Sequence, residues 1–246
     1  MKEYERPPFL EALCEIYFMP GDQWDITIPG SIYQEVKNKY PKKEQQARLE
    51  ISIGPGEDSN SQKVCAVNRM VFRRDDNSGL IQIEPNLLVV NILSPYPTWP
   101  NFKASIIESV QTYSSIVKPK SVKSIGLRYL NRFDFSEEVV DLSDFIDFYP
   151  RPPKALQSEF GGFNLTMNLP VKDARDIIQL AVSDSQTDRQ TKSLVFDLYY
   201  RLVEEGSLQL AEIPEWLDKA HNEIETAFEL SITEKGRKMF GGVKIG

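Results

Sequence analysis

Hydrophobic and polar positions alternate along much of this chain, and the places where the alternation breaks divide it into elements. From Phe9 to Phe18, Leu10, Ala12, Cys14, Ile16 and Phe18 fall on one face and Glu11, Leu13, Glu15 and Tyr17 on the other, which predicts a strand. Pro7-Pro8 precedes it, where a residue without an N–H is tolerated, and Pro20-Gly21-Asp22 ends it. Ile32, Tyr33, Val36 and Tyr40 recur at helical spacing, with Pro41 as the expected stop. Leu49, Ile51 and Ile53 alternate into a Gly54-Pro55-Gly56 turn, and Glu57–Gln62 reads as a polar loop. Strands follow at Val64–Arg73 and Leu80–Glu84, joined by the polar turn Asp75–Gly79. After Glu84-Pro85-Asn86 comes Leu87–Leu93, an apolar run suited to a strand covered on both faces. A proline-rich loop (Pro95, Pro97, Pro100) leads to a helix with Phe102, Ile106, Val110, Tyr113 and Val117 on one stripe, and Pro119 lies beyond it.

The second half opens on Lys120–Phe135, a long strand that places Arg128, Leu130, Arg132 and Asp134 on one face. Leu127, Tyr129, Asn131, Phe133 and Phe135 occupy the other. Asp141–Ile146 reads as a short helical turn, and Pro150, Pro152 and Pro153 as a rigid connection. Alternation returns at Phe163–Leu169, at Ile178–Val182 before a polar turn over Asp184–Lys192, and at Leu194–Arg201. Pro214 then suits the first turn of a helix carrying Trp216, Leu217, Ala220, Ile224, Ala227 and Phe228 on one side. A last short helix runs from Ile232-Thr233 to Met239-Phe240, before Gly241-Gly242.

Both halves, 1–119 and 120–246, therefore read as strand, helix, strands, helix, the order of a helix-grip unit, packed as one structural unit. The expected class is α+β, with a mostly antiparallel sheet and helices on one side. Two such units with continuous sheets resemble the saddle of the TATA-binding protein, a topological likeness that carries no function by itself.

Composition narrows the partners. Among 246 residues, 29 Lys and Arg face 36 Asp and Glu, a formal net charge of −7, which disfavours a general nucleic-acid binder without excluding a local basic patch. Cys14 and Cys65 sit in strand-like runs and read as small core residues. One histidine, His221, leaves no multi-histidine metal site, and neither a metal nor a cofactor is expected. The start has no apolar secretion core and no run is long enough to span a membrane, so a cytoplasmic protein is expected.

No phosphate-cradling, dinucleotide-binding or nucleophile-elbow motif is present in the sequence. His221 lies at the edge of an apolar helical stripe and reads as an interfacial histidine satisfied by a neighbour. The stronger constellation is Arg128 and Arg132 with Asn131 on the central strand. An arginine pair offers planar forks of donors to a carboxylate, phosphate or nucleotide; the competing reading is salt bridges to Asp134 or Asp197. Lys118, Lys120 and Lys123 add positive charge beside it and also suit a helix end.

Three stretches carry a family likeness: Pro7–Ile16, Ile125–Arg132 and the ending His221…Phe228…Ile232-Thr233. Through them the chain resembles a sporadically distributed prokaryotic family of uncharacterised proteins of about this length. The resemblance implies no activity. The patchy occurrence of that family implies accessory genes on mobile elements, including phage-defence or toxin–antitoxin-like loci. The expectation that follows is a non-catalytic cytoplasmic binding or regulatory protein acting through a protein partner, with a neighbouring gene as its candidate source. The alternative is a sensor or enzyme for a small anionic ligand such as a nucleotide, bound near Arg128 and Arg132.

Overall fold

A computed structural model describes residues 4–53, 62–135, 140–151, 153, 162–171, 174–188 and 191–241, with backbone alone for 47–53, 62–68, 185–188 and 191. The elements in chain order are β1 (Phe9–Phe18), α1 (Ile28–Val36), β2 (Lys42–Ile53), β3 (Gln62–Arg73), β4 (Gly79–Glu84), β5 (Leu87–Leu93), α2 (Trp99–Val117), β6 (Val122–Phe135), β7 (Asn164–Pro170), β8 (Asp176–Asp188), β9 (Thr191–Leu202), α3 (Ile213–Ser231) and α4 (Glu234–Met239). Short 3-10 turns lie at Leu142–Asp144 and Leu210–Glu212. This is the element order expected from the alternation. The turn at 54–56, most of the polar loop at 57–62, Pro152 and Gly242 lie outside the described residues, as does the side chain of Cys65.

All nine strands form one antiparallel sheet in the order β2-β3-β4-β5-β1-β6-β9-β8-β7. The sheet runs unbroken across residue 120, because β1 pairs with β6 at its centre. On each side of that pair the remaining strands are joined as hairpins, which keeps neighbours in sequence next to one another in space. The helices pack on one face. Tyr113 of α2 stacks on Phe18 of β1 with ring centroids 4.9 Å apart, and Phe228 of α3 lies over Phe196 of β9 at 6.2 Å. Alternate residues of the central strands fill this layer: Ala12, Cys14 and Ile16 from β1, Ile125, Leu127, Tyr129 and Phe133 from β6, and Leu194, Phe196 and Leu198 from β9. Among the described residues, no helix is long and apolar enough to cross a membrane.

Caps and turns follow local chemistry. Thr98 caps α2 by accepting the Asn101 N–H, Pro100 occupies its first turn, and Lys118 ends it in the left-handed region with φ 50°. The β4–β5 hairpin turns through Pro85-Asn86, proline holding the first corner position and Asn86, at φ 62°, the second. In the β3–β4 hairpin, Asp76 accepts the Ser78 N–H at 2.9 Å and Asn77 takes φ 58°.

Four expectations shift. Leu10 was expected on the core face of β1, yet it is exposed and Phe9 is buried. A bulge between Phe9 and Glu11 leaves Leu10 as the extra residue and resets the alternation. Helix α1 ends at Val36 rather than at Pro41, with Lys39 and Tyr40 both donating to the Val36 carbonyl in a closing turn. The polar stretch expected as a turn over Asp184–Lys192 is instead ladder: Asp184 pairs with Leu194 and Ser185 with Ser193. Backbone pairing does not require apolar side chains, so β8 and β9 continue past the core; residues 189–190 of the expected turn lie outside the described residues. Finally, the run Leu87–Leu93 is covered on both faces as expected, but it includes Asn91, buried and hydrogen-bonded.

Asp176, at the start of β8, ties the outer hairpin to the helix layer. It is only 1% exposed and accepts from Trp216 Nε1 at 2.9 Å, the Tyr200 hydroxyl at 3.2 Å, and Lys219 Nζ and Arg175 Nη2 at 3.3 Å each. Removing the carboxylate strands the buried indole and phenol donors, while Lys219 and Arg175 can turn to water. Asp176→Ala is therefore expected to cost about 2–4 kcal/mol, seen in urea unfolding as a lower midpoint at unchanged slope.

Candidate functional site

The three residues singled out on β6 do not form one site. Arg128 and Arg132 project from the sheet face opposite the helices, whereas Asn131 points into the helix layer and is 1% exposed. Alternation along a single strand dictates this separation.

Arg128 grips Asp197 of β9 with both prongs, Nε to Oδ1 at 2.8 Å and Nη2 to Oδ2 at 2.5 Å. Its guanidinium carbon also sits 5.8 Å from the ring centre of Tyr199. The hydrogen bonds to Asp197 raise the arginine pKa further above its ordinary value. Arg132 pairs along its own strand with Asp134, Nε to Oδ1 at 2.8 Å, and Asp134 also accepts from the Ser193 hydroxyl at 2.7 Å. Each arginine thus has its own carboxylate, the salt-bridge reading set beside the anion-site reading above.

These pairs belong to a wider polar lattice on the same face. Arg69 donates to Gln82 at 2.9 Å, Gln82 to Asn91 at 2.9 Å, and Asn91 to Glu11 at 2.6 Å, crossing four adjacent strands from β3 to β1. Tyr199 reaches over β6 to donate its hydroxyl to Glu15 of β1. Gly126 makes that reach possible: a Cβ there would stand 2.4 Å from the Tyr199 ring. Lone glycine inside a strand signals close approach of another group, and this was the available sequence clue to Tyr199 and Glu15. The carboxamide ladder had no such clue, because it depends on register between strands.

On the helix side, Asn131 lines a small cavity with Tyr129, His221 and Glu225 as the other polar walls and Leu198, Ile224 and Phe228 as apolar ones. The cavity measures about 10 Å³, room for one water rather than a metabolite. Asn131 Nδ2 donates to the Phe196 carbonyl at 3.4 Å, and its Oδ1 has no partner. The Tyr129 hydroxyl lies 3.1 Å from His221 Nδ1 and 2.9 Å from the Tyr96 hydroxyl, forming a buried chain. Trp99 of α2 stacks flat on the His221 ring at 4.1 Å and donates Nε1–H to Asp218 of α3, which also holds Lys103 at 2.6 Å. His221 is an interfacial histidine satisfied by its neighbours, as the sequence suggested.

Burial lowers the His221 pKa from 6.5 to about 4, against the opposing pull of Glu225 and Asp218, so the ring is neutral at pH 7. Burial likewise keeps the Tyr129 phenol protonated. Both groups are thus held neutral at pH 7, and the hydrogen-bonded chain joins α3 to β6 and to the loop that precedes α2. Among the described residues, no group of three His, Cys, Asp or Glu side chains could hold a metal ion. No family model matches the chain, and no curated protein matches it in sequence.

Two outcomes are expected. Because unfolded His221 protonates near 6.5 while the folded ring resists until about 4, folding stability falls as pH drops through that window. The stability difference between wild type and His221→Gln should therefore shrink by about 2–3 kcal/mol between pH 7 and pH 4, measured by urea unfolding at each pH. A double-mutant cycle with Arg128→Ala and Asp197→Ala should give a coupling of about 1 kcal/mol, held down by solvent screening of the arginine, whose side chain is 40% exposed.

Proposed function

We propose that this chain is a non-catalytic binding or regulatory protein that engages a protein partner through the sheet face opposite its helices, and that it serves an accessory prokaryotic locus of the defence or toxin–antitoxin kind. The observation that carries the reading is the state of that face. Arg128 is paired with Asp197 across strands and Arg132 with Asp134 along its own, while Glu11 and Glu15 are held by Asn91 and Tyr199, so the surface offers hydrogen-bonding groups fixed in position. Such a surface suits a protein interface, where charged groups are depleted at the centre and aromatic residues and arginine are enriched. Tyr17 of β1, 42% exposed, and the half-exposed Arg128 lie on it. The net charge of −7 further favours a protein over a polyanion.

The same reading takes the two halves as versions of one helix-grip plan arranged as a saddle. It is supported by their connectivity: β1 pairs with β5, the last strand before α2, and β6 pairs with β9, the last strand before α3. An anionic ligand at Arg128 and Arg132 is the less favoured alternative, since it would have to displace Asp197 and Asp134.

The test is capture of the tagged protein co-expressed with its genomic neighbours, followed by mass spectrometry of proteins and small molecules. A stoichiometric protein partner is expected, and Tyr17→Arg should reduce its recovery about tenfold or more without lowering the melting temperature. Capture of a nucleotide with no protein, and thermal stabilisation by it that Arg128→Ala abolishes, would replace this reading with the anionic-ligand one.

A further inference from the structure

The two edges of the sheet are built differently. Edge strands expose unpaired N–H and C=O groups, and proteins commonly guard them with charged residues, especially lysine. Strand β2 carries exposed Lys42, Lys43 and Glu44. At the other edge, β7 has the sequence Asn-Leu-Thr-Met-Asn-Leu-Pro, without a single charge, and six of its seven residues are exposed. Among the described residues its outer side has no strand neighbour.

The ladder to β8 shows which backbone groups look outward. The Asp184 N–H donates to the Phe163 carbonyl and the Val171 N–H to the Asp176 carbonyl, so the odd-numbered residues between them bond inward to β8. The outward donors and acceptors therefore belong to Asn164, Thr166 and Asn168, with Pro170 contributing a carbonyl alone. Side chains follow the same division. Leu165, Met167 and Leu169 lie opposite Val182, Leu180 and Ile178 and continue the core row of β8, yet Met167 is 43% and Leu169 39% exposed.

The stretch from Leu165 to Leu169 reads apolar, polar, apolar, polar, apolar in both directions, with Met167 at its middle. We propose that β7 pairs antiparallel with β7 of a second copy of this chain, about a two-fold axis at Met167, and so joins the two sheets into one. In this register Thr166 faces Asn168 of the partner subunit as a hydrogen-bonded pair, and Asn168 faces the partner's Thr166. Asn164 donates to the carbonyl of the partner's Pro170, where the missing proline N–H ends the ladder. Leu165 meets Leu169 of the partner subunit, and the two Met167 side chains meet on the axis, covering the exposed end of each core row. A register slip of one residue sets each outward-facing residue opposite an inward-facing one, so the outward donors and acceptors no longer meet. The two-fold is closed, and the charged β2 edges stay apart.

The experiment is sedimentation equilibrium of the full chain at about 50 µM, where a micromolar interface is largely occupied. A mass twice the 28.2 kDa of one chain is expected. Met167→Lys, which sets two like charges face to face, and Thr166→Pro, which deletes an outward N–H while sparing the bonds to β8, should each return the monomer, with unfolding unchanged from wild type only at concentrations where wild type too is monomeric. Met167→Cys should form an intersubunit disulfide under mild oxidation, because Cα atoms of a non-hydrogen-bonded pair lie about 4.5 Å apart; Thr166→Cys should not. A monomer at this concentration, a dimer indifferent to either variant, an open-ended series of larger species, or cross-linking at Thr166→Cys instead would each overturn the proposal.

Discussion

The antiparallel pairing of β1 with β6 is the contact on which the rest of the molecule depends. It aligns Ala12 with Tyr129, Cys14 with Leu127 and Ile16 with Ile125, and so makes one sheet of the strands from both parts of the chain. Everything else is arranged relative to that seam. The helix layer covers the face where those residues point, and the polar lattice occupies the face where Glu11, Glu15 and Arg128 point. A one-residue slip at the seam would turn one strand over relative to the other, sending its core row to the open face and charged residues such as Glu11 and Glu15 toward the helices, a cost far beyond the marginal stability of a domain.

Polar groups are handled oppositely on the two sides. On the open face, acids and bases satisfy one another across strands, as with Arg128 and Asp197 or along the Gln82–Asn91–Glu11 ladder. These groups keep partial access to water, and each pair contributes modestly to stability; their effect is to hold side chains in set positions. On the helix side polar groups are few and deeply buried, and leaving one unpaired is costly. Asp176 is served by four donors, and Tyr129, Tyr96 and His221 form one chain, while the Asn131 carbonyl oxygen opens onto a cavity of water size. The buried groups fasten α3 to the sheet; the open ones shape a surface.

Much of the plan was legible in the sequence. Period-two alternation over β1, β6 and β9 and the apolar stripes of α2 and α3 reflect burial on one face, and that signal is local. Prolines and glycines marked most ends correctly. The failures also have local causes. The bulge at Leu10 breaks the period within one residue, and α1 stops short of Pro41 because its closing turn needs no proline. The polar ends of β8 and β9 stay paired through backbone bonds that side-chain hydrophobicity does not report.

For the candidate site, the sequence by itself determined that Arg128 and Arg132 share a face and that Asn131 opposes them, since strand geometry alone places them. It also named Asp134 and Asp197 as candidate partners for the arginines. Only the tertiary structure decided that both arginines take those partners, that Tyr199 crosses Gly126 to reach Glu15, and that His221 lies between Trp99 and Tyr129. The physical reason is reach. Alternation is set within a few residues of chain, whereas these contacts, the local Arg132–Asp134 pair apart, join positions 69 to 184 residues apart, fixed by strand order and register after the sheet has assembled.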